Sequence, residues 1–187
     1  MTLHALAARL RREADVLLHA RGLLAMTRRL GETFVGGSYF SDLMVWRDLD
    51  MYVRAPDVGI ADFFALGAEV TERLHAWKSF FTDNRDADPR GLYWGIRLGD
   101  VRHGAWKLDI WAVDTERFER AVSDARRFVE RLTPETREAI LAIKHHYWND
   151  PRYRTTVTSA MIYRAVLDDG VRTVTDFEAY AAGRTRM

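Results

Sequence analysis

Residues 48–53 read Asp-Leu-Asp-Met-Tyr-Val, and this alternation is the strongest constraint the chain places on its own fold. Successive side chains of a β-strand point to opposite faces, so a period of two puts Asp48 and Asp50 together on one face. Lys107-Leu108-Asp109-Ile110-Trp111-Ala112 repeats the pattern, with Leu108, Ile110 and Ala112 on an apolar face and Asp109 opposite to it. The chain therefore contains strands that carry carboxylates on the side away from their apolar neighbours.

The remaining pattern places helices around those strands. Leu3, Leu10, Leu17 and Leu24 recur at helical spacing up to about Leu30, which predicts one long or two consecutive amphipathic helices with a break at Gly22. Thr33 to Val35 is a β-branched and aromatic run ending in Gly36-Gly37-Ser38, and it reads as a strand. Phe63, Phe64, Leu66, Val70 and Leu74 predict a helix over 60–77, and Phe80 and Phe81 a short strand. Residues 93–98 and 105–113 form a hairpin turned by the segment from Gly99 to Gly104. Asp114 or Thr115 caps a helix to about Leu132, and Thr133 followed by Pro134 opens another to about Asn149. Helices over 156–167 and 176–182 complete the chain, the second opened by the capping pair Thr175 and Glu178. The expected fold class is α/β (α+β), a small mixed β-sheet with flanking helices over 1–132, plus a C-terminal helical tail over 133–187 packed on it.

Composition narrows the functional classes. A chain of 187 residues is the size of one domain with a small appendage. The absence of cysteine excludes disulfides, thiolate metal sites and thiol nucleophiles. No apolar run reaches the roughly 18 residues that span a bilayer, and Arg9, Arg11 and Arg12 stand where a signal peptide would be apolar. A cytoplasmic protein without a membrane partner is expected. The 28 Lys and Arg against 27 Asp and Glu leave a net charge of +1, which disfavours nucleic acid as a partner. The cluster Arg9, Arg11 and Arg12, balanced by Glu13 and Asp15, reads as a solvated helix face.

Two like charges side by side on a strand are unfavourable unless a cation lies between them, and a divalent oxygen-seeking ion such as Mg²⁺ does this best. Asp109 adds a third carboxylate. These residues resemble the polymerase-β-like nucleotidyltransferase superfamily. Its pattern is a hydrophobic strand, Gly-Gly or Gly-Ser, a spacer of about nine to thirteen residues, Asp-x-Asp or Asp-x-Glu in a strand, and an acidic residue in a later strand. Gly37-Ser38, the spacer from Tyr39 to Arg47, Asp48-Leu49-Asp50 and Asp109 meet it, so the resemblance covers about residues 33–113. Phe40, Ser41 and Arg47 depart from the commoner small-enzyme form, which has a further glycine after Gly-Ser and a serine just before the first Asp.

The resemblance implies transfer of a nucleoside monophosphate from a nucleoside triphosphate to a hydroxyl, with release of pyrophosphate and two Mg²⁺ ions about 4 Å apart. Asp48 and Asp50 would hold Mg²⁺ against the triphosphate. Asp109 would hold the ion at the acceptor hydroxyl and help draw off its proton. Gly37 and Ser38 would cradle the outer phosphates, because a residue without Cβ lets the backbone approach closely.

Lys107, two residues before Asp109 on the same face, fits a phosphate contact or a plain ion pair equally well. Lys144, on the stripe with Ile140 and Trp148, fits a triphosphate contact or a stem along the surface with a wet head. His145 and His146 are adjacent and cannot share a helix face as a metal pair. Trp106 and Trp111 face opposite sides of their strand. The expected acceptor is a small molecule or a protein, ranked above a nucleic-acid end. The competing class is a non-catalytic relative of the fold, a binding or regulatory module such as an antitoxin-type partner.

Overall fold

A computed structural model of the protein describes residues 2–184. Strands β1 (Glu32–Val35), β2 (Asp48–Arg54), β3 (Lys78–Asp83), β4 (Leu92–Arg97) and β5 (Lys107–Val113) form one mixed sheet in the order β1-β2-β5-β4-β3. Within this sheet β2 and β5 pair in parallel and the other neighbouring strands pair antiparallel. The alternation in the sequence decides which face is dry: Leu49, Met51, Val53, Leu108 and Ile110 are fully buried, whereas the intervening Asp48, Asp50 and Asp109 are half-buried on the other face. Helices α1 (Leu3–Asp15), α2 (Leu23–Arg28) and α4 (Ile60–Arg73) cover the dry face with Leu10, Met26, Phe63, Leu66 and Val70. A π-helical turn at Val16–Ala20 and Gly22, at φ +76°, break α1 from α2 where the sequence placed the break.

The short α3 (Gly37–Phe40) follows β1, and α5 (Thr115–Glu130), capped by the Asp114 side chain, lies over one end of the second face, where the Arg54 guanidinium sits on the Phe118 ring. Helices α6 (Pro134–Tyr147), α7 (Ser159–Leu167) and α8 (Val174–Arg184) build a second hydrophobic cluster. Ala7 of α1 and Leu43, Val45 and Trp46 of the loop before β2 belong to that cluster. No helix among the described residues is long and apolar enough to cross a membrane.

Four expectations change in detail. The 60–77 helix ends at Arg73, because His75 turns to φ +55°. α7 starts at Ser159 rather than 156, since Tyr153 and Val157 bridge and Thr158 caps the helix. α8 is capped by Thr173, whose hydroxyl accepts from the Asp176 N–H, not by Thr175 and Glu178. The charged face of α1 is tied down: Arg11 pairs with Asp42, Glu13 accepts from Arg47, and Asp15 accepts from the Tyr39 hydroxyl. These contacts fasten α1 to the loop that leads into β2.

Phe177 of α8 is fully buried, with its ring centroid 5.4 Å from that of Tyr147 in α6. Phe177→Ala is expected to lower the unfolding free energy by about 3–5 kcal/mol in urea denaturation. A loss below about 1 kcal/mol would show that α8 does not anchor the second cluster.

Candidate active site

Strand register arranges the uncovered face in rows. Asp48, Lys107, Arg97 and Lys78 are successive cross-strand partners; Asp50, Asp109, Gly95 and Phe80 form the next row; Phe34, Tyr52, Trp111, Tyr93 and Thr82 the one after. A charged row, a carboxylate row and an aromatic row thus follow one another at about 6.6 Å, two residues of strand rise.

One oxygen from each of Asp48, Asp50 and Asp109 lies within 4.8 Å of the others. Three half-buried oxygen donors this close suit a hard divalent cation. The ammonium of Lys107 stands among them, donating to Asp48 Oδ1 at 3.0 Å and to Asp109 Oδ2. A cation at the cluster therefore competes with this lysine. Of the two readings open for Lys107, the ion pair is the one observed. The Tyr93 hydroxyl donates to Asp109 Oδ1 at 2.8 Å, and Arg97 lies 3.4 Å from the same oxygen. Tyr93 and Arg97 escaped the sequence reading, although the hairpin turn that sets Gly95 opposite Asp109 makes both its diagonal neighbours.

Gly37 has φ +56°, and a Cβ there would overlap Asp50 Oδ2. The Gly36 N–H donates to the Asp50 carbonyl at 2.8 Å. Only glycine permits this turn to lie against the carboxylate. Ser38, next in the turn, is buried at the start of α3.

Burial dominates the electrostatics. It raises the Asp48 carboxyl above its ordinary value more than Lys107 lowers it. Asp50 rises from 3.8 to about 7, through burial and then through the charge of Asp48. For Lys107, burial pulls the other way, but Asp48, Asp109 and Asp50 outweigh it and hold the ammonium above its usual range. Burial and Asp109 push the Tyr93 hydroxyl up to about 12, so it stays a donor at neutral pH.

Lys144 is not the wet-headed lysine of one sequence reading. It is 1% exposed, and its ammonium donates to the Leu43 carbonyl at 2.8 Å and to the Tyr163 hydroxyl at 3.2 Å. Burial lowers its pKa, and its charge reaches Asp48 and Asp50 without a direct bond. Trp46 connects the regions, with Lys107 and Arg154 over its ring at 5.6 and 4.7 Å. His145 and His146 are exposed. Trp106 packs against the core and Trp111 lies on the uncovered face, on opposite sides as expected.

No family profile and no curated protein matches the sequence. Solved structures do match the fold. The Cid1 poly(U) polymerase with MgGTP bound aligns at TM-score 0.58 and 16% identity, over 85% of this chain and 50% of that one. Terminal uridylyl transferase 4 from Trypanosoma brucei, with UTP and UpU bound, aligns at TM-score 0.53 and 14% identity, over 89% and 57%. A cytoplasmic RNA terminal U-transferase aligns at TM-score 0.52 and 14% identity, over 88% and 50%. The chain spans about half the length of the solved structures it matches. It has the nucleotidyltransferase fold that the motif resemblance implied. The low rank given to nucleic acid is overturned, because this fold's solved neighbours include an RNA terminal U-transferase and a uridylyl transferase holding UpU. A net charge summed over the surface says nothing about a face on which cations are grouped in one row.

Two outcomes follow from the charge balance. Folded Asp50 keeps a proton that the unfolded chain releases near 3.8, so metal-free stability falls as pH rises from about 4 to about 7. Thermal melts in chelator from about pH 5 to about pH 8 are expected to show a decline that Asp50→Asn reduces, the remainder belonging to Asp48; an unchanged slope in the variant would show that the Asp50 carboxyl titrates normally. Lys107→Ala leaves the carboxylates unopposed. It is expected to destabilise the metal-free protein by about 3 kcal/mol and to enlarge the Mg²⁺-induced rise in Tm. An equal Mg²⁺ shift in both proteins would rule out competition between the lysine and the cation.

Proposed function

We propose that this protein is a Mg²⁺-dependent nucleotidyltransferase that moves a nucleoside monophosphate from a nucleoside triphosphate to a hydroxyl of an RNA acceptor. The observation that carries this reading is the meeting of Asp48, Asp50 and Asp109 oxygens within 4.8 Å of one another, beside a glycine turn that admits Asp50. The fold supports it, because solved neighbours hold MgGTP, UTP and UpU. The complete set of three carboxylates speaks against a non-catalytic binding module.

When bound, two Mg²⁺ ions supply neutralisation of the triphosphate and polarisation of the attacking hydroxyl. Asp48, Asp50 and Asp109 are the residues that would hold them. Asp109 accepts the proton of the acceptor hydroxyl as that oxygen bonds to the α-phosphorus and the bond from the α-phosphorus to pyrophosphate breaks. Tyr93 and Arg97 fix the orientation of Asp109 through Oδ1, leaving Oδ2 to the cation side of the site. Lys107, released from the carboxylates, pairs with phosphate oxygens within reach of its stem. The Gly37 and Ser38 backbone receives the outer phosphates, and the positive potential of Lys144 acts on the same side.

The test is extension of a short labelled RNA with each nucleoside triphosphate and Mg²⁺. Asp50→Asn and Asp109→Asn are each expected to slow extension at least about hundredfold while folding remains intact by circular dichroism. Extension at the wild-type rate in both variants would remove the assigned site, and no transfer by the wild-type protein from any triphosphate would remove the activity.

A further inference from the structure

The aromatic row beside the carboxylates has no role in the site as described, apart from the Tyr93 hydroxyl. Phe34, Tyr52, Trp111 and Tyr93 are cross-strand partners on four adjacent strands, all on the uncovered face and all half-buried. Phe34 and Tyr52 are near-parallel, at 26° and 6.5 Å between centroids, and Tyr93 and Trp111 lie 4.6 Å apart. Phe80 extends the surface from β3. Its ring, 37% exposed, crosses Gly95 in the space a Cβ would fill, and so comes to lie in the row of Asp109. Phe80 is the exposed ring of this face; Phe40 of α3 packs edge-on against Phe34 at 5.1 Å and Arg117 of α5 lies over Trp111, so the row is half-covered and no helix layer seals it.

Cations border the row. The Arg117 guanidinium lies over the Trp111 ring at 4.6 Å, and its Nη1, itself buried, has no hydrogen-bond partner among the described residues. Arg97 lies over the Phe80 ring at 5.2 Å and Lys78 at 5.8 Å. Stacking surface flanked by cations is complementary to unpaired bases joined by phosphates, and to no purely apolar partner. The row is also continuous with the carboxylates, one strand repeat of about 6.6 Å from Asp50 and Asp109.

We propose that this face is the acceptor platform: Phe80, Trp111, Phe34 and Tyr52 stack the unpaired bases of a single-stranded RNA, and Arg117 and Lys78 meet its phosphates, so that its end reaches Asp109. The proposal rests on the nucleotidyltransferase reading for the direction of the strand, while binding itself needs no turnover. Duplex RNA hides its base faces and is a poor ligand for such a surface.

The test measures fluorescence anisotropy of a labelled eight-nucleotide oligouridine on the full chain with Mg²⁺ and without triphosphate, alongside triphosphate binding by calorimetry. Phe80→Ala and Trp111→Leu are each expected to weaken oligouridine binding about five- to a hundredfold, the range of one lost base stack, and to leave triphosphate binding within about twofold. Equal oligouridine affinity in wild type and both variants overturns the platform, as does duplex RNA bound as tightly as the single strand, or a parallel loss of triphosphate binding. Aromatic-dependent RNA binding by a protein that transfers no nucleotide upholds the platform and overturns the catalytic reading. Transfer by a protein that binds no oligouridine does the reverse.

Discussion

Three carboxylates gathered within 4.8 Å of one another, two of them bonded to one lysine, are the constraint on which the rest of this molecule turns. Parallel pairing of β2 and β5 sets Asp50 against Asp109 and Asp48 against Lys107, so neither acid can retreat from the other without breaking the strand ladder. Such a cluster is tolerable only with positive charge or protons in it. The structure supplies both: the Lys107 ammonium between Asp48 and Asp109, and an Asp50 carboxyl raised to about 7. The neighbouring residues follow from the same need. Tyr93 and Arg97 occupy the remaining side of Asp109, and Gly37 removes the Cβ that would press on Asp50.

The sheet divides the work between its faces. One side is a continuous apolar layer sealed by α1, α2 and α4, and burial of that layer is the main term that holds the strands in register. The other side is left without a full covering layer and carries charge, acid and aromatic rows in sequence. Near-zero net charge is compatible with this arrangement, because the sum over the surface averages an acidic row with the cations next to it. Local order of charge, not its total, decides what a face can bind.

The helices after Thr133 act on the site through the loop at 41–47. Leu43, Val45 and Trp46 of that loop belong to the same cluster as Ile140, Ile143 and Phe177, and the buried Lys144 ammonium is bonded to the Leu43 carbonyl. On its other side the loop is tied to α1 through Arg11 and Glu13, and the preceding α3 through Asp15. β2 therefore begins from a segment gripped by two helical groups, which fixes where Asp48 enters the sheet.

The sequence by itself determined the strand at 48–53, the hairpin from 93 to 113, the break at Gly22, the caps at Asp114 or Thr115 and at Thr133, and the three acids with their glycine turn. These depend on period, turn chemistry and spacing, which are local properties. Tertiary structure alone decided that Lys107 would sit among the acids rather than beside one of them, that Lys144 would be buried on a loop carbonyl, that Tyr93 and Arg97 would hold Asp109, and that four aromatic residues from four strands would form one row. Each of these pairs residues far apart in the chain through strand register or helix packing. Their partners are set by where the whole apolar layer is buried, and no local pattern encodes that.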